Sequence, residues 1–196
     1  MSVFTIEEFD RELREYPLKV QLSDVWISLE DYYSDLDIEK IEQLTAFVCD
    51  FLEVEKPHIK LIEDVDNVSA NTVFVVKDDN IVVSHVEFLK RHLKFTDEGE
   101  RILLLQSIAH EVRHIWQLHN NMLEFKTNPD DLYSYTEIDA IAFSRLFLEF
   151  FVPVRFTIED KKLDSMVIRG EDYMYTNFLS RIVKGYKNKS IKFQCS

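Results

Sequence analysis

Ile108-Ala109-His110-Glu111-Val112-Arg113-His114-Ile115-Trp116-Gln117 is the stretch on which the reading of this chain turns. Ile102, Leu105, Ile108, Ala109, Val112 and Trp116 recur at the three- and four-residue spacing of one apolar helix face. Thr96 has the chemistry of an N-cap. Asp97, Glu98 and Glu100 follow it, acids that suit the positive end of a helix dipole. Asn120-Asn121 closes the run. Within that helix His110 and His114 stand four residues apart. They are separated by about 40° around the axis and one turn along it, so both project from one face. Their imidazoles can reach a common point and offer two nitrogen ligands to a zinc ion. Glu111 lies about 100° round from His110, beside such a metal, where a general base would take a proton from an activated water.

A catalytic zinc has a third protein ligand and one open position. The next helical signal, from about Ser134 to Phe151 and ending before Pro153, offers Glu137, 23 residues beyond His114 (137 minus 114). That separation leaves room for a helix end, a connection over Met122–Tyr133 and an antiparallel return. His119, Glu124 and Asp139 compete for the third place. A fourth ligand such as His119 or Asp139 would close the site and make the metal structural or sensing, in a binding or regulatory protein. The same ligands also suit an amide or ester other than a peptide.

The motif His110-Glu111-Val112-Arg113-His114-Ile115-Trp116-Gln117, with Glu137-Ile138-Asp139-Ala140, resembles the small cytoplasmic zincins of bacteria and phages. Their layout is that of the ImmA/IrrE-type and SprT-type minimal peptidases. The resemblance covers roughly residues 72–150. It implies zinc (Zn2+) held by His110, His114 and Glu137, Glu111 as the catalytic base, and hydrolysis of peptide bonds in a protein or peptide substrate. It also implies a small sheet before the active-site helix, one edge of which holds substrate in extended form. Ile81-Val82-Val83-Ser84 is the expected edge. Two departures stand out. Thermolysin-like enzymes carry an acid four residues after the ligand glutamate, where this chain has Ile141. The partner that orients a histidine must then come from elsewhere, and Asp139, about 200° round from Glu137, is badly placed for it. The metzincin pattern fails as well, with Gln117 at its glycine and Asn120 at its third histidine.

Outward from this centre, the pattern predicts an α+β, helix-rich domain spanning 1–196, with N-terminal helices over 1–56, a core over 58–152 and a C-terminal helical extension over 153–196. Thr5 and Glu8 form a capping-box signal before Phe9, Leu13 and Tyr16, and Pro17 stops that run. A second helix is expected from Asp37 to about Glu53. His58–Ile62, Thr72–Val76 and Ile81–Ser84 are β-branched runs that predict a sheet of about three strands, with Asp78-Asp79-Asn80 as a hairpin turn. A last helix is expected over about Gly170–Lys184.

The chain of 196 residues carries a formal charge of −13. That argues against a general nucleic-acid binder, which needs a basic face. Lys184, Lys187, Lys189 and Lys192 are expected to be a solvated tail. Met1–Asp10 has neither the basic nor the apolar region of a secretory signal, and no apolar run approaches the ~18 residues of a membrane span. Cys49 and Cys195 have neither disulfide-framework nor zinc-ligand spacing. A cytoplasmic location is the expectation.

Overall fold

The computed structural model describes residues 18–22, 38–63, 70–90, 98–122, 132–151, 158–187 and 191–195. The elements in chain order are β1 (Leu18–Leu22), α1 (Ile38–Leu52), β2 (Ile59–Ile62), β3 (Ala70–Lys77), β4 (Asn80–Leu89), α2 (Glu98–His119), α3 (Tyr135–Phe151), α4 (Lys161–Lys187) and β5 (Ile191–Cys195). Among the described residues, four helices and a small three-stranded mixed sheet make the fold α+β and helix-rich, as the pattern predicts. No helix of the described residues is long and apolar enough to cross a membrane. The expected helix after Thr5, the cap at Thr96 and the connection at Asn128–Asp131 lie outside the described residues.

Helix ends follow local chemistry. At the end of α1, Glu53 turns left-handed (φ 59°). Val54 N–H then bonds Cys49 C=O and Glu53 N–H bonds Asp50 C=O, which is a Schellman cap. The end of α2 repeats it: Asn121 (φ 55°) lets Met122 N–H reach Gln117 C=O and Asn121 N–H reach Leu118 C=O. Asp160 caps α4 through its Oδ1, which accepts from Lys162 and Leu163 N–H.

That last helix is longer than the sequence suggests, starting at Lys161 rather than near Gly170. Gly170 is not a breaker but a contact point. A Cβ added there would stand 2.9 Å from Ala142 Cβ, so the absent side chain lets α4 cross close to α3. Along this seam Arg145 of α3 reaches Asp164 (2.6 Å) and Glu171 (3.0 Å) on α4.

Aromatic rings fill the space between helices. Phe51 of α1 meets Phe178 of α4 at 4.7 Å and Phe147 of α3 at 5.8 Å, centroid to centroid. Cys49, 1% exposed, is a free thiol in this core, and burial, with Asp50 beside it, pushes its pKa up to about 12.

In the sheet the order is β2-β4-β3. Asp78 (φ 51°) and Asp79 (φ 61°) form the tight turn that makes β3 and β4 a hairpin, with Lys77 opposite Asn80. β2 pairs in parallel with Val86–Leu89 of β4. Ile81–Ser84 therefore belongs to the middle strand, but β2 covers only Val86–Leu89, so among the described residues Ile81–Ser84 lies beside β3 alone. Val86, Phe88 and Leu89 need cover on both sides, and the hairpin places β3 outermost. β3 is the edge strand of this hairpin, and it lies against α2.

Two further expectations change. Leu18–Leu22 is a strand, antiparallel to Ile191–Cys195, so the N-terminal region is not helical throughout. The expected lysine tail is not a tail: Lys184 lies within α4 and pairs with Glu53, Lys187 ends that helix, and Lys192 belongs to β5.

Candidate metal centre

Two helices build the site. α2 presents His110 and His114 one turn apart. α3 starts at Ser134, whose Oγ accepts from Glu137 N–H at 3.2 Å and whose C=O accepts from Ile138 N–H. This N-cap makes Glu137 the third residue of the helix, at its positive end. A glutamate there can fold back to close a capping box. Here the carboxylate faces α2 instead. Its Oε2 lies 3.2 Å from His110 Nε2 and its Oε1 lies 3.2 Å from His114 Nε2, while the two Nε2 atoms are 3.0 Å apart.

That triangle can be compared with a zinc site. Zinc takes nitrogen and oxygen ligands at about 2.0–2.2 Å in a tetrahedron, which places neighbouring donor atoms roughly 3.3 Å apart. The two Nε2 atoms, 3.0 Å apart, are spaced like a neighbouring pair of such donors, and each lies 3.2 Å from a different oxygen of Glu137. Two ring nitrogens facing each other at 3.0 Å need a positive centre between them, a shared proton or a metal ion. Two imidazoles and one carboxylate are the donor types zinc favours, so the residues present fit the ion. Among the described residues the group has three members and no fourth. Of the competing ligands, Asp139 bonds elsewhere and His119 stands exposed at the end of α2, while Glu124 lies outside the described residues.

Protons mark the same polarity. Burial works against charge on Glu137, yet hydrogen bonds from His110 and His114 prevail and hold its carboxyl down at about 2. Burial likewise opposes a charged His114, but its bond to Glu137 and the nearby negative charge of Glu111 raise it to about 9. A metal entering the triangle displaces protons held by an anion.

Glu111 is 7% exposed, and its Oε2 accepts from Thr72 Oγ1 at 2.7 Å. The same hydroxyl is 3.2 Å from Glu111 C=O, so β3 anchors both the side chain and the backbone of this residue. Sequence reading missed Thr72, which shows there only as one β-branched residue in a strand. Nothing local marks a contact 39 residues away.

Gln117 was also missed as a site residue. It is fully buried, one turn beyond His114, and its Oε1 meets His114 Nδ1 at 2.8 Å. Its Nε2 donates to Thr136 C=O (2.8 Å) and to Asp139 Oδ2 (2.7 Å). Asp139 is held by Arg113, Nε to Oδ2 at 2.8 Å and Nη2 to Oδ1 at 3.0 Å. The partner that Ile141 cannot provide is therefore an amide, with the carboxylate one bond further out. The i, i+3 spacing of His114 and Gln117 is the signal that would have found it. Arg113 thus pairs with an acid of the neighbouring helix, and its guanidinium lies 3.6 Å from the Trp116 ring centroid.

Tyr133 donates its hydroxyl to Asp160, Tyr135 and Tyr173 are exposed, and His85 bonds Glu87 and Ser84. Comparison with protein-family models, curated proteins and solved structures found no match to this chain.

Proposed function

We propose that this chain is a zinc-dependent hydrolase of peptide bonds in a protein or peptide, a small zincin-type metallopeptidase. The observation that carries the reading is the His110–His114–Glu137 triangle with Glu111 adjoining it on the same helix. His110, His114 and Glu137 would hold the ion. Zinc, when bound, supplies Lewis acidity that lowers the pKa of water toward neutrality and polarises a carbonyl. Glu111 then accepts the proton of the attacking water and passes it to the departing nitrogen. Thr72 holds Oε2 of that carboxylate at 2.7 Å while this happens. Edge strand β3, against α2, suits an extended peptide by strand addition. A reducing, cytoplasmic compartment belongs to the same reading, supported by the free thiol of Cys49.

Metal content tests the proposal directly. Wild type purified with zinc should carry about one ion per chain by elemental analysis, and His114→Ala, purified beside it, should carry almost none. No zinc in wild type even after zinc is added back would end the enzyme reading.

A second expectation concerns pH. With His114 raised to about 9, zinc must displace its proton throughout the neutral range. Affinity measured by chelator competition should therefore rise at least roughly tenfold per pH unit between about pH 6 and 8. Glu137, held at about 2, is already ionised there and contributes no slope. An affinity flat across that window would show that the ion does not replace a proton on His114.

A further inference from the structure

We propose that Gln117 is a positioning residue that fixes which nitrogen of His114 faces the metal, and that it does so without adding charge to the site. The inference rests on the zinc reading above. It follows from the direction of a chain of hydrogen bonds. Arg113 can only donate. Its Nε and Nη2 occupy both oxygens of Asp139, at 2.8 and 3.0 Å, which fixes that carboxylate as an acceptor. Asp139 Oδ2 takes a further bond from Gln117 Nε2 at 2.7 Å, and Thr136 C=O takes another at 2.8 Å. A primary amide has two N–H protons, and both are now used. The amide cannot be turned over without setting its oxygen against two acceptors. Its Oε1 must then face His114, and at 2.8 Å from Nδ1 it requires a proton on that atom. Nε2 is left as the metal-facing nitrogen, 3.0 Å from His110 Nε2 and 3.2 Å from Glu137 Oε1.

No water substitutes for this arrangement, because Gln117 is fully buried. A carboxylate bonded directly to the imidazole would give the same orientation but would bring its negative charge next to the ring. Here the carboxylate that stands behind Gln117, Asp139, is neutralised by a bidentate arginine and set one amide away from the ring. The protein thereby fixes the ring while leaving the charge of the metal offset mainly by Glu137.

The test uses zinc itself on the full chain. Gln117→Met keeps the length of the side chain but neither accepts from Nδ1 nor donates to Asp139. Its zinc dissociation constant, from chelator competition, should rise about 10- to 100-fold over wild type. Gln117→Glu should not rescue binding, since its second oxygen would face Asp139 and Thr136 C=O. Equal affinity in Gln117→Met and wild type would overturn the proposal.

A readout that needs no variant is the imidazole Nδ1–H of His114 in zinc-loaded wild type, followed by nitrogen-edited NMR. It should appear as a slowly exchanging proton bonded to Gln117. Zinc coordinated through Nδ1, or an Nδ1–H in fast exchange with water, would overturn the proposal even if Gln117→Met does not fold. Wild type that takes up no zinc would refute the metal reading itself and the proposal with it, an outcome distinct from a site that binds zinc equally well without Gln117.

Discussion

Glu111→Gln should take up zinc as wild type does and cleave peptides about 10³-fold more slowly, the size of effect expected for losing a general base. Three features make this variant informative. Gln has nearly the shape of Glu, so the 7% exposed pocket of Glu111 is refilled. Its carbonyl oxygen can still accept from Thr72 Oγ1, which bonds the carboxylate at 2.7 Å in the wild type. Glu111 belongs to none of the three contacts that define the triangle, so the ligands keep their positions. What is lost is the basicity of the carboxylate, together with its negative charge near His114. The assay is mass spectrometry of a mixed library of unstructured peptides incubated with each zinc-loaded protein, with zinc content measured on the same samples. Cleavage by wild type that persists in the variant would place the base elsewhere. No cleavage by fully loaded wild type would favour a protein that keeps its zinc for binding or regulation.

The parts of this site that could be read from sequence are those set by helix geometry. His110 and His114 share a face because 3.6 residues make a turn, and that rule holds wherever the helix packs. Glu137 could be proposed because a helix start is legible from its capping residues, and α3 does begin at Tyr135 after Ser134. Asp78-Asp79 announced the hairpin because few residue pairs tolerate two positive φ values. The unread parts depend on contacts between distant segments. Thr72 touching Glu111, and Asp139 touching both Arg113 and Gln117, are set by how β3 and α3 dock on α2. Strand order has the same character. β4 lies in the middle because β2 arrives in parallel from the far side of the hairpin, which no alternation within Ile81–Ser84 reveals. Leu18 opposite Cys195 is the extreme case, a pairing between segments near the two ends of the chain. The start of α4, at Lys161 rather than about Gly170, has another cause. The propensity of Gly170 argues for a break, but the close approach of α4 to Ala142 overrides propensity.

Asp139→Ala should cost roughly 3–5 kcal/mol of stability in zinc-free protein, the usual penalty for stranding one partner of a buried ion pair. The arginine makes the case severe. Arg113 has a side chain only 9% exposed, and Asp139 accepts from both its Nε and its Nη2. Two aromatic rings also lie against it, Trp116 at 3.6 Å and Phe143 at 5.1 Å from the guanidinium carbon. Those ring faces attract a cation weakly and accept no strong hydrogen bond. Removing Asp139 therefore leaves a full charge facing rings, and it takes one of two acceptors from Gln117. Replacing both partners with apolar side chains, Arg113→Met with Asp139→Leu, should recover most of the loss, because the buried charge goes with its partner. Urea unfolding at neutral pH, followed by circular dichroism with a chelator present, gives both numbers. If Asp139→Ala lies within about 1 kcal/mol of wild type, in the range of exposed pairs, Arg113 must reach water once its partner is gone. If the double variant falls as far as the single one, the charge itself is not what makes Asp139 necessary. The α2–α3 seam would then rest on the Gln117 bond to Thr136 and the Glu137 contacts with His110 and His114.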